Sequence, residues 1–208
     1  MRVSNNWLKE LVDIDLPADK IANDMLYVGN EYDAITEVCP ATNLVVGRVV
    51  STHPHPDSDH LNVCEVDLGD KIYQIVCGAP NVRVGMKTAF AKLGAKIGDI
   101  EIAPRNLAGY TSNGMCCSEK EIGISDDNSG IMEITDDLPN GTDLKEAYAI
   151  DDIIFEVDNK SLTNRPDLWG HYGIAREFAA LSGRELKPMP TADLSKYDNL
   201  PKVDMKIV

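Results

Sequence analysis

Leu61-Asn62-Val63-Cys64-Glu65-Val66-Asp67-Leu68-Gly69-Asp70-Lys71-Ile72-Tyr73-Gln74-Ile75-Val76 is the stretch that decides the fold. Two strand-length runs, 61–68 and 71–76, flank a Gly-Asp turn signal, and Ile72–Val76 mixes apolar and polar residues as a half-buried strand does. Outward from it, Leu44–Val50, Thr88–Ala91 and Ile97–Ala103 are also strand-length, and Gly, Pro, Asn and Asp separate them. About five short strands with turn signals between them predict a small barrel, for which the five-stranded OB-type is the economical choice. Ser118-Glu119-Lys120-Glu121 has the form of a capping box and predicts a short helix late in this zone.

The flanks have a different texture. Ser4 is placed to cap a helix carrying Trp7, Leu8 and Leu11 on one face. Pro17 suits the first position of a second helix, with Ile21, Met25 and Val28 apolar and Gly29 just past its end. The pair has the form of a helix-turn-helix, a geometry that is also common simple packing. Beyond residue 150, Asp152–Val157 reads as a strand and a helix follows Pro166, with Ile174, Phe178 and Leu181 at helical spacing and Gly183 as its stop. Neither end zone holds enough apolar residues to stand alone. The expectation is therefore an α+β chain in which 1–39 packs with 151–190 as one discontinuous helical domain. A barrel over 40–150 is inserted into it, and 191–208 is a linker to missing downstream domains.

The chain has 208 residues, with 20 Lys+Arg against 34 Asp+Glu and a formal net charge of -14. Its apolar fraction of 43% excludes a disordered chain. No apolar run approaches the roughly 20 residues that cross a bilayer, so no membrane partner is expected. The start Met1-Arg2-Val3-Ser4-Asn5-Asn6 lacks the features of a signal peptide, and the odd set Cys39, Cys64, Cys77, Cys116 and Cys117 has no Cys-x-x-Cys spacing. These features predict a cytoplasmic protein with reduced, buried thiols.

Three constellations could carry chemistry. His53-Pro54-His55-Pro56-Asp57-Ser58-Asp59-His60 invites a zinc-hydrolase reading through His53, His55, Asp57 and His60. Its last His stands two residues late for that motif, and two prolines with Asp57, Ser58 and Asp59 make an ordinary turn. Cys116-Cys117 has no His nearby to activate a thiol, which favours core packing. Charge is the third feature: Arg83, Lys87, Lys92, Lys96 and Arg105 face only Asp99 and Glu101 within 81–108. From 119 to 143 Lys120 stands alone among Glu119, Glu121, Asp126, Asp127, Glu133, Asp136, Asp137 and Asp143. An acidic total argues against nucleic acid, yet one basic barrel face can hold phosphates because screening is short-ranged. Composition alone does not choose between such a face and an unevenly charged surface.

Several segments resemble a known family. His55–Cys64, Ile75-Val76-Cys77-Gly78-Ala79-Pro80-Asn81-Val82-Arg83 and Ala91-Lys92-Leu93-Gly94-Ala95 match, in order and spacing, the tRNA-binding OB domain shared by several synthetases. Gly109-Tyr110-Thr111-Ser112-Asn113-Gly114-Met115-Cys116-Cys117-Ser118 continues the match, as do Glu121-Ile122-Gly123 and Gly130-Ile131. Val3-Ser4-Asn5-Asn6-Trp7-Leu8-Lys9-Glu10-Leu11 resembles the start of bacterial phenylalanyl-tRNA synthetase β subunits. Leu162-Thr163-Asn164-Arg165-Pro166-Asp167 with Gly173-Ile174-Ala175-Arg176-Glu177 resembles the segment where their first domain resumes after the insertion. Two departures, Ser161-Leu162 for a Thr-Pro pair and Asp57-Ser58-Asp59 in the His-Pro motif, fall at turn positions.

The resemblance implies a tetramer of two α and two β subunits that joins phenylalanine to its tRNA using ATP and magnesium. This chain would be an N-terminal, non-catalytic, tRNA-binding piece without cofactor or metal of its own, partnered by tRNA, the α subunit and the rest of β. By motif position and charge the expected RNA contacts are Asn81, Arg83, Lys92, Arg105, Ser112, Asn113 and Met115. Turn chemistry that shapes loops is the rival role for Asn81, Ser112 and Asn113. Asn164 or Asp167 is expected to cap the following helix, and Arg165 to brace the insertion against the outer domain. The alternatives are a free-standing tRNA-binding protein, a synthetase-assembly module, and the zinc hydrolase.

Overall fold

The computed structural model describes residues 1–107, 109–158, 160–189 and 191–201. The expected linker therefore lies partly outside the described residues, at 202–208. In chain order come β1 (Arg2–Ser4), α1 (Asn5–Leu11), α2 (Ala18–Leu26), β2 (Tyr32–Glu37), β3 (Leu44–Pro54), β4 (Asn62–Asp67), β5 (Ile72–Cys77) and β6 (Lys87–Ala91). Short strands follow: β7 (Lys96–Ile97), β8 (Ile100–Glu101), β9 (Arg105–Leu107), β10 (Tyr110–Ser112) and β11 (Met115–Cys116). Then come α3 (Glu119–Ile122), β12 (Glu133–Ile134), α4 (Leu144–Tyr148), β13 (Ile153–Val157) and α5 (His171–Ser182). They gather into two compact units, Ala34–Phe155 and Met1–Asp33 with the chain from Glu156. Strand β13 pairs with β1 on one side and β2 on the other in a three-stranded sheet of order β1-β13-β2.

The unit Ala34–Phe155 is a nearly closed, five-stranded antiparallel barrel of OB type, in the order β11-β6-β3-β4-β5, with β12 added beside β6. Strands β4 and β5 pair from Asn62↔Cys77 to Asp67↔Ile72 across the Gly69-Asp70 turn. Long β3 pairs with β6 over Leu44–Arg48 and with β4 over Arg48–Pro54, and a register shift between Val49 and Ser51 bends it from one partner to the next. Phe90 is fully buried and meets Cys64, Val66, Ile75 and Cys116 in one core cluster. A second cluster joins Leu44, Val46, Ala89, Ala91, Ile122 and Leu144. The expected strand Ile97–Ala103 is instead a two-stranded ribbon, β7 with β8, because the chain reverses at Gly98 (φ +56°). The fifth barrel strand is β11, which pairs Met115↔Ala91 and Cys116↔Phe90.

In the other unit, the Ser4 hydroxyl accepts the Trp7 N–H at 3.0 Å and starts α1, which buries Leu8 and Leu11. Trp7 lies off that face, half exposed and stacked on the His171 ring at 3.9 Å. Pro17 is the N-cap of α2 and not its first helical residue. After Pro166 the chain makes a 3-10 turn (Pro166–Leu168) and α5 starts only at His171, past Gly170. Ile174 and Phe178 are buried, and Gly183 (φ +65°) ends α5 as expected. Neither Asn164 nor Asp167 caps this segment. Arg165 occupies the cap position of the 3-10 turn and makes no side-chain cap bond. Its guanidinium binds Asp167 and Glu177, both at 3.0 Å, and Arg176 reaches Asp167 at 2.5 Å. These partners all lie inside its own unit, so the brace acts there and not on the insertion.

Candidate nucleic-acid interface

The barrel leaves one edge to close, between β5 and the turn from β10 to β11. Side-chain and backbone bonds together close it. The buried Ser112 hydroxyl accepts the Val76 N–H at 3.1 Å and donates to the Gly114 carbonyl at 3.1 Å. The Asn113 N–H donates to the Gln74 carbonyl at 2.9 Å, and the Gln74 amide returns a bond to the Thr111 carbonyl at 2.9 Å. Gly114 sits at φ +145° with its α-carbon against the Phe90 ring, where a Cβ would collide with Cζ and lie 3.0 Å from the Ala91 carbonyl. The chain can cross there only as glycine.

Two concavities flank this seam, and Val76 and Met115 line both. The first, of about 290 Å³, has apolar walls from Ile100, Ile102, Pro104 and Leu107, with Glu101, Arg105 and Ser112 also in its lining. The second, of about 370 Å³, is walled by the 77–80 segment, Ser118, Glu121 and residues 128–131. Together they form a groove with a Met115 ridge. Its shape matches what a nucleic-acid strand needs, an apolar shelf for a base beside a cation for a phosphate.

The structure gathers Arg105, Ser112, Asn113 and Met115 at the seam. Asn81 builds the second wall: its Nδ2 donates to the Ile131 carbonyl at 2.8 Å and its Oδ1 accepts the Ile131 N–H at 3.0 Å. Arg83 lies in a different concavity, with Arg48, Lys87, Asp136 and Asp137, and pairs with Glu133. Lys92 lines neither side of the seam, and its N–H donates to the Asn43 carbonyl at 3.2 Å. The basic window and the acidic run found in the sequence thus meet each other, through Arg83 with Glu133 and Lys87 with Asp137 at 3.1 Å. Glu121 and Asn128 were not among the expected contacts. Glu121 stands in the sequence as part of the acidic run, of the Glu121-Ile122-Gly123 block and of a capping box, and the structure bears out the last: Oε2 accepts the Ser118 N–H at 2.7 Å and its hydroxyl at 2.9 Å.

The other chemistry-bearing groups are occupied structurally. Buried His55 accepts the Asp57 N–H on Nδ1 at 3.1 Å, which leaves the proton on Nε2 to donate to the Leu107 carbonyl at 3.2 Å. With both ring nitrogens engaged it is no free metal ligand, and the 55–61 loop closes as a turn through His55 N–H to the Leu61 carbonyl at 2.9 Å. His60 is exposed and bonds Asp59 at 2.9 Å. All five cysteines are free and buried. Burial first, then the Glu121 charge, pushes the Cys117 thiol up to about 12, and burial lifts Cys116 well above the usual thiol range. Neither is poised as a nucleophile. Among the described residues no helix is long and apolar enough to cross a membrane.

Residues 44–143 match the family model "Putative tRNA binding domain". Along most of its length the chain is also similar to proteins named "Phenylalanine--tRNA ligase beta subunit". That of Syntrophus aciditrophicus is 41% identical over 189 residues, 90% of this chain and 23% of the relative. That of Legionella pneumophila strain Lens is 42% identical over 194 residues, 91% of this chain and 24% of the relative. The Hahella chejuensis protein is 43% identical over 185 residues, 88% and 23% respectively. The chain spans about a quarter of the length of these relatives. Over 44–143 the barrel is thus similar to the tRNA-binding domain model, and nine-tenths of the chain is similar to about a quarter of the phenylalanine–tRNA ligase beta subunits.

Proposed function

We propose that this chain is the tRNA-binding, non-catalytic N-terminal part of a phenylalanine–tRNA ligase beta subunit. The observation that carries the reading is identity of about 40% over nine-tenths of the chain, with the tRNA-binding match on the barrel whose seam forms the groove. The parent enzyme would charge tRNA with phenylalanine in the cytoplasm, using ATP and magnesium held elsewhere in a tetramer with the α subunit. Residues 1–39 and 151–190 would form the outer domain, and 191–208 would lead on to the rest of the subunit.

Within the groove, Arg105 neutralises a phosphate, Met115 and the apolar shelf support a base, and Asn113 bonds sugar or base edges. Asn81 and Ser112 hold the walls that make those contacts possible. Arg83 and Lys92 add long-range attraction, weakened at Arg83 by its Glu133 partner. A single cation, Arg105, in the lining of the groove predicts weak binding that salt weakens further. Titrating labelled tRNA at about 50 and about 200 mM salt tests this, with Arg105→Glu expected to weaken binding and to flatten the salt slope by about one. Binding that is undetectable at low salt, or indifferent to both salt and Arg105→Glu, overturns the assignment.

A further inference from the structure

Arg105 is exposed, and among the described residues no side-chain hydrogen bond or ion pair holds its guanidinium. Where its charge stands is therefore set by the backbone of β9 that carries it. Among the described residues β9 pairs with β10 alone, in a register that sets Arg105 opposite Ser112 and Leu107 opposite Tyr110. The Ser112 end of this ribbon is fixed to β5 through the Val76 N–H. The Leu107–Tyr110 end needs a tether of its own, because a two-stranded ribbon is marginal in water.

His55 supplies that tether. Its buried ring donates from Nε2 to the Leu107 carbonyl at 3.2 Å and meets the Tyr110 ring at 5.0 Å with an interplanar angle of 70°. It thus touches both strands of the ribbon at the end away from Ser112. The barrel side holds His55 in turn, because the residue lies between the end of β3 at Pro54 and the start of β4 at Asn62. Its N–H donates to the Leu61 carbonyl at 2.9 Å, its carbonyl accepts the Ser58 N–H at 3.3 Å, and Nδ1 accepts the Asp57 N–H at 3.1 Å. That last bond leaves the proton on Nε2. One ring nitrogen is satisfied by the 55–61 loop and the other by the ribbon, so the ribbon cannot move off without stranding a buried donor. Leu107 and Arg105 are two residues apart on one strand and line the same concavity, so an anchor at Leu107 is an anchor for the cation.

We infer that His55 is a positioning residue for RNA binding: its Nε2–Leu107 bond ties the β9–β10 ribbon to the loop between β3 and β4 and so sets where the Arg105 charge meets a phosphate. His55 touches no RNA itself. The inference rests on the RNA-binding reading above and adds to it a residue acting through another. A histidine that only closed the 55–61 turn would need Nδ1 alone, and its Nε2 bond could be lost with no effect on RNA.

Two substitutions divide the two bonds of the ring. In His55→Asn the amide stands where Nδ1 stood and accepts from Asp57, but it falls short of Leu107. In His55→Gln the amide reaches the place of Nε2 and donates to Leu107, but it leaves the Asp57 N–H without its acceptor. Each variant loses one buried bond and the Tyr110 ring contact, so urea unfolding should show similar losses of stability. Titration of labelled tRNA with the full chain should separate them. His55→Asn should bind about fivefold more weakly at about 50 mM salt, with a salt slope flatter by up to about one, and His55→Gln should recover both. Beside Arg105→Gln, His55→Asn should change affinity by less than about twofold, because the cation it positions is gone. Nitrogen NMR of the wild-type ring gives a readout that needs no variant to fold: Nε2 should carry the proton. Wild-type affinity in folded His55→Asn, equal losses in the two variants, a His55→Asn effect that persists in full beside Arg105→Gln, or a ring protonated on Nδ1 overturns the positioning role and leaves RNA binding standing. Binding of tRNA that is absent at low salt, or indifferent to Arg105→Glu, overturns the groove and this role with it.

Discussion

Replacing Ser112 by alanine separates the two roles that sequence alone left open for it. The hydroxyl is buried and carries two bonds, from the Val76 N–H and to the Gly114 carbonyl. Removing it leaves a backbone N–H on the barrel seam without its acceptor, at a cost of about 1–3 kcal/mol, while the carbonyl loses a weaker share. A total near 2 kcal/mol lowers Tm by about 4–8 °C at the sensitivity of a chain this size. In urea the midpoint should fall by roughly 1 M with the slope unchanged, since the surface exposed on unfolding is the same. Hydrogen exchange localises the effect, with the Val76 amide expected to lose protection before amides in the β4–β5 ladder. At a temperature where both proteins are folded, tRNA affinity should stay within about twofold, because the hydroxyl is spent inside the wall. A variant with wild-type stability and tenfold weaker RNA binding would refute this reasoning and make Ser112 a direct contact.

Two further outcomes follow from the charges and thiols. Asp167 is held below the usual carboxylate range, first by the hydrogen bond from Arg165 and then by its charge and that of Arg176. A lowered folded-state value means that the stabilisation is complete above the unfolded Asp value of about 3.9 and disappears as pH falls through the folded value. The urea midpoints of wild type and Arg165→Gln should therefore differ by a constant amount from pH 7 to about 5 and converge below about 4; a gap that widens in acid refutes the pairing. Iodoacetamide at pH 8 should leave Cys117 unlabelled in the folded protein, since its thiol is raised to about 12, and should label it after unfolding in urea. Prompt labelling of the native protein, read by mass spectrometry, would show that the thiol is not enclosed.

The readable parts of the fold are those whose cause is local. The β4–β5 hairpin needs only alternation and a Gly-Asp turn, and the Ser118–Glu121 box needs only residues three apart. Gly183 at the end of α5 is a position where a left-handed residue is required by the backbone itself. The Ile97–Ala103 stretch misled because alternation continues across Gly98-Asp99, the one dipeptide that turns the chain back. Strand β11 escaped because two residues carry no period at all; it is a strand only because β6 offers an edge to Met115 and Cys116. Arg83 looked like a free cation because its partner, Glu133, is fifty residues away and belongs to the run read separately as acidic surface.

The same distinction explains why the groove lies where it does. An open β5 edge would expose unpaired N–H and C=O groups, and the barrel shuts it with Ser112 and Asn113 in place of a full strand ladder. The seam, held by a few side-chain and backbone bonds, has a hollow on either flank, and Val76 and Met115 line both. Folding and binding are therefore coupled unequally along one loop. Gly114, Ser112 and Asn81 hold the shape of the barrel, so a change there is expected to appear in stability before it appears in RNA affinity. Arg105, by contrast, is exposed and takes no part in the bonds that close the seam. RNA affinity is expected to change through Arg105 without touching the core, because the bonds that close the seam do not run through its side chain.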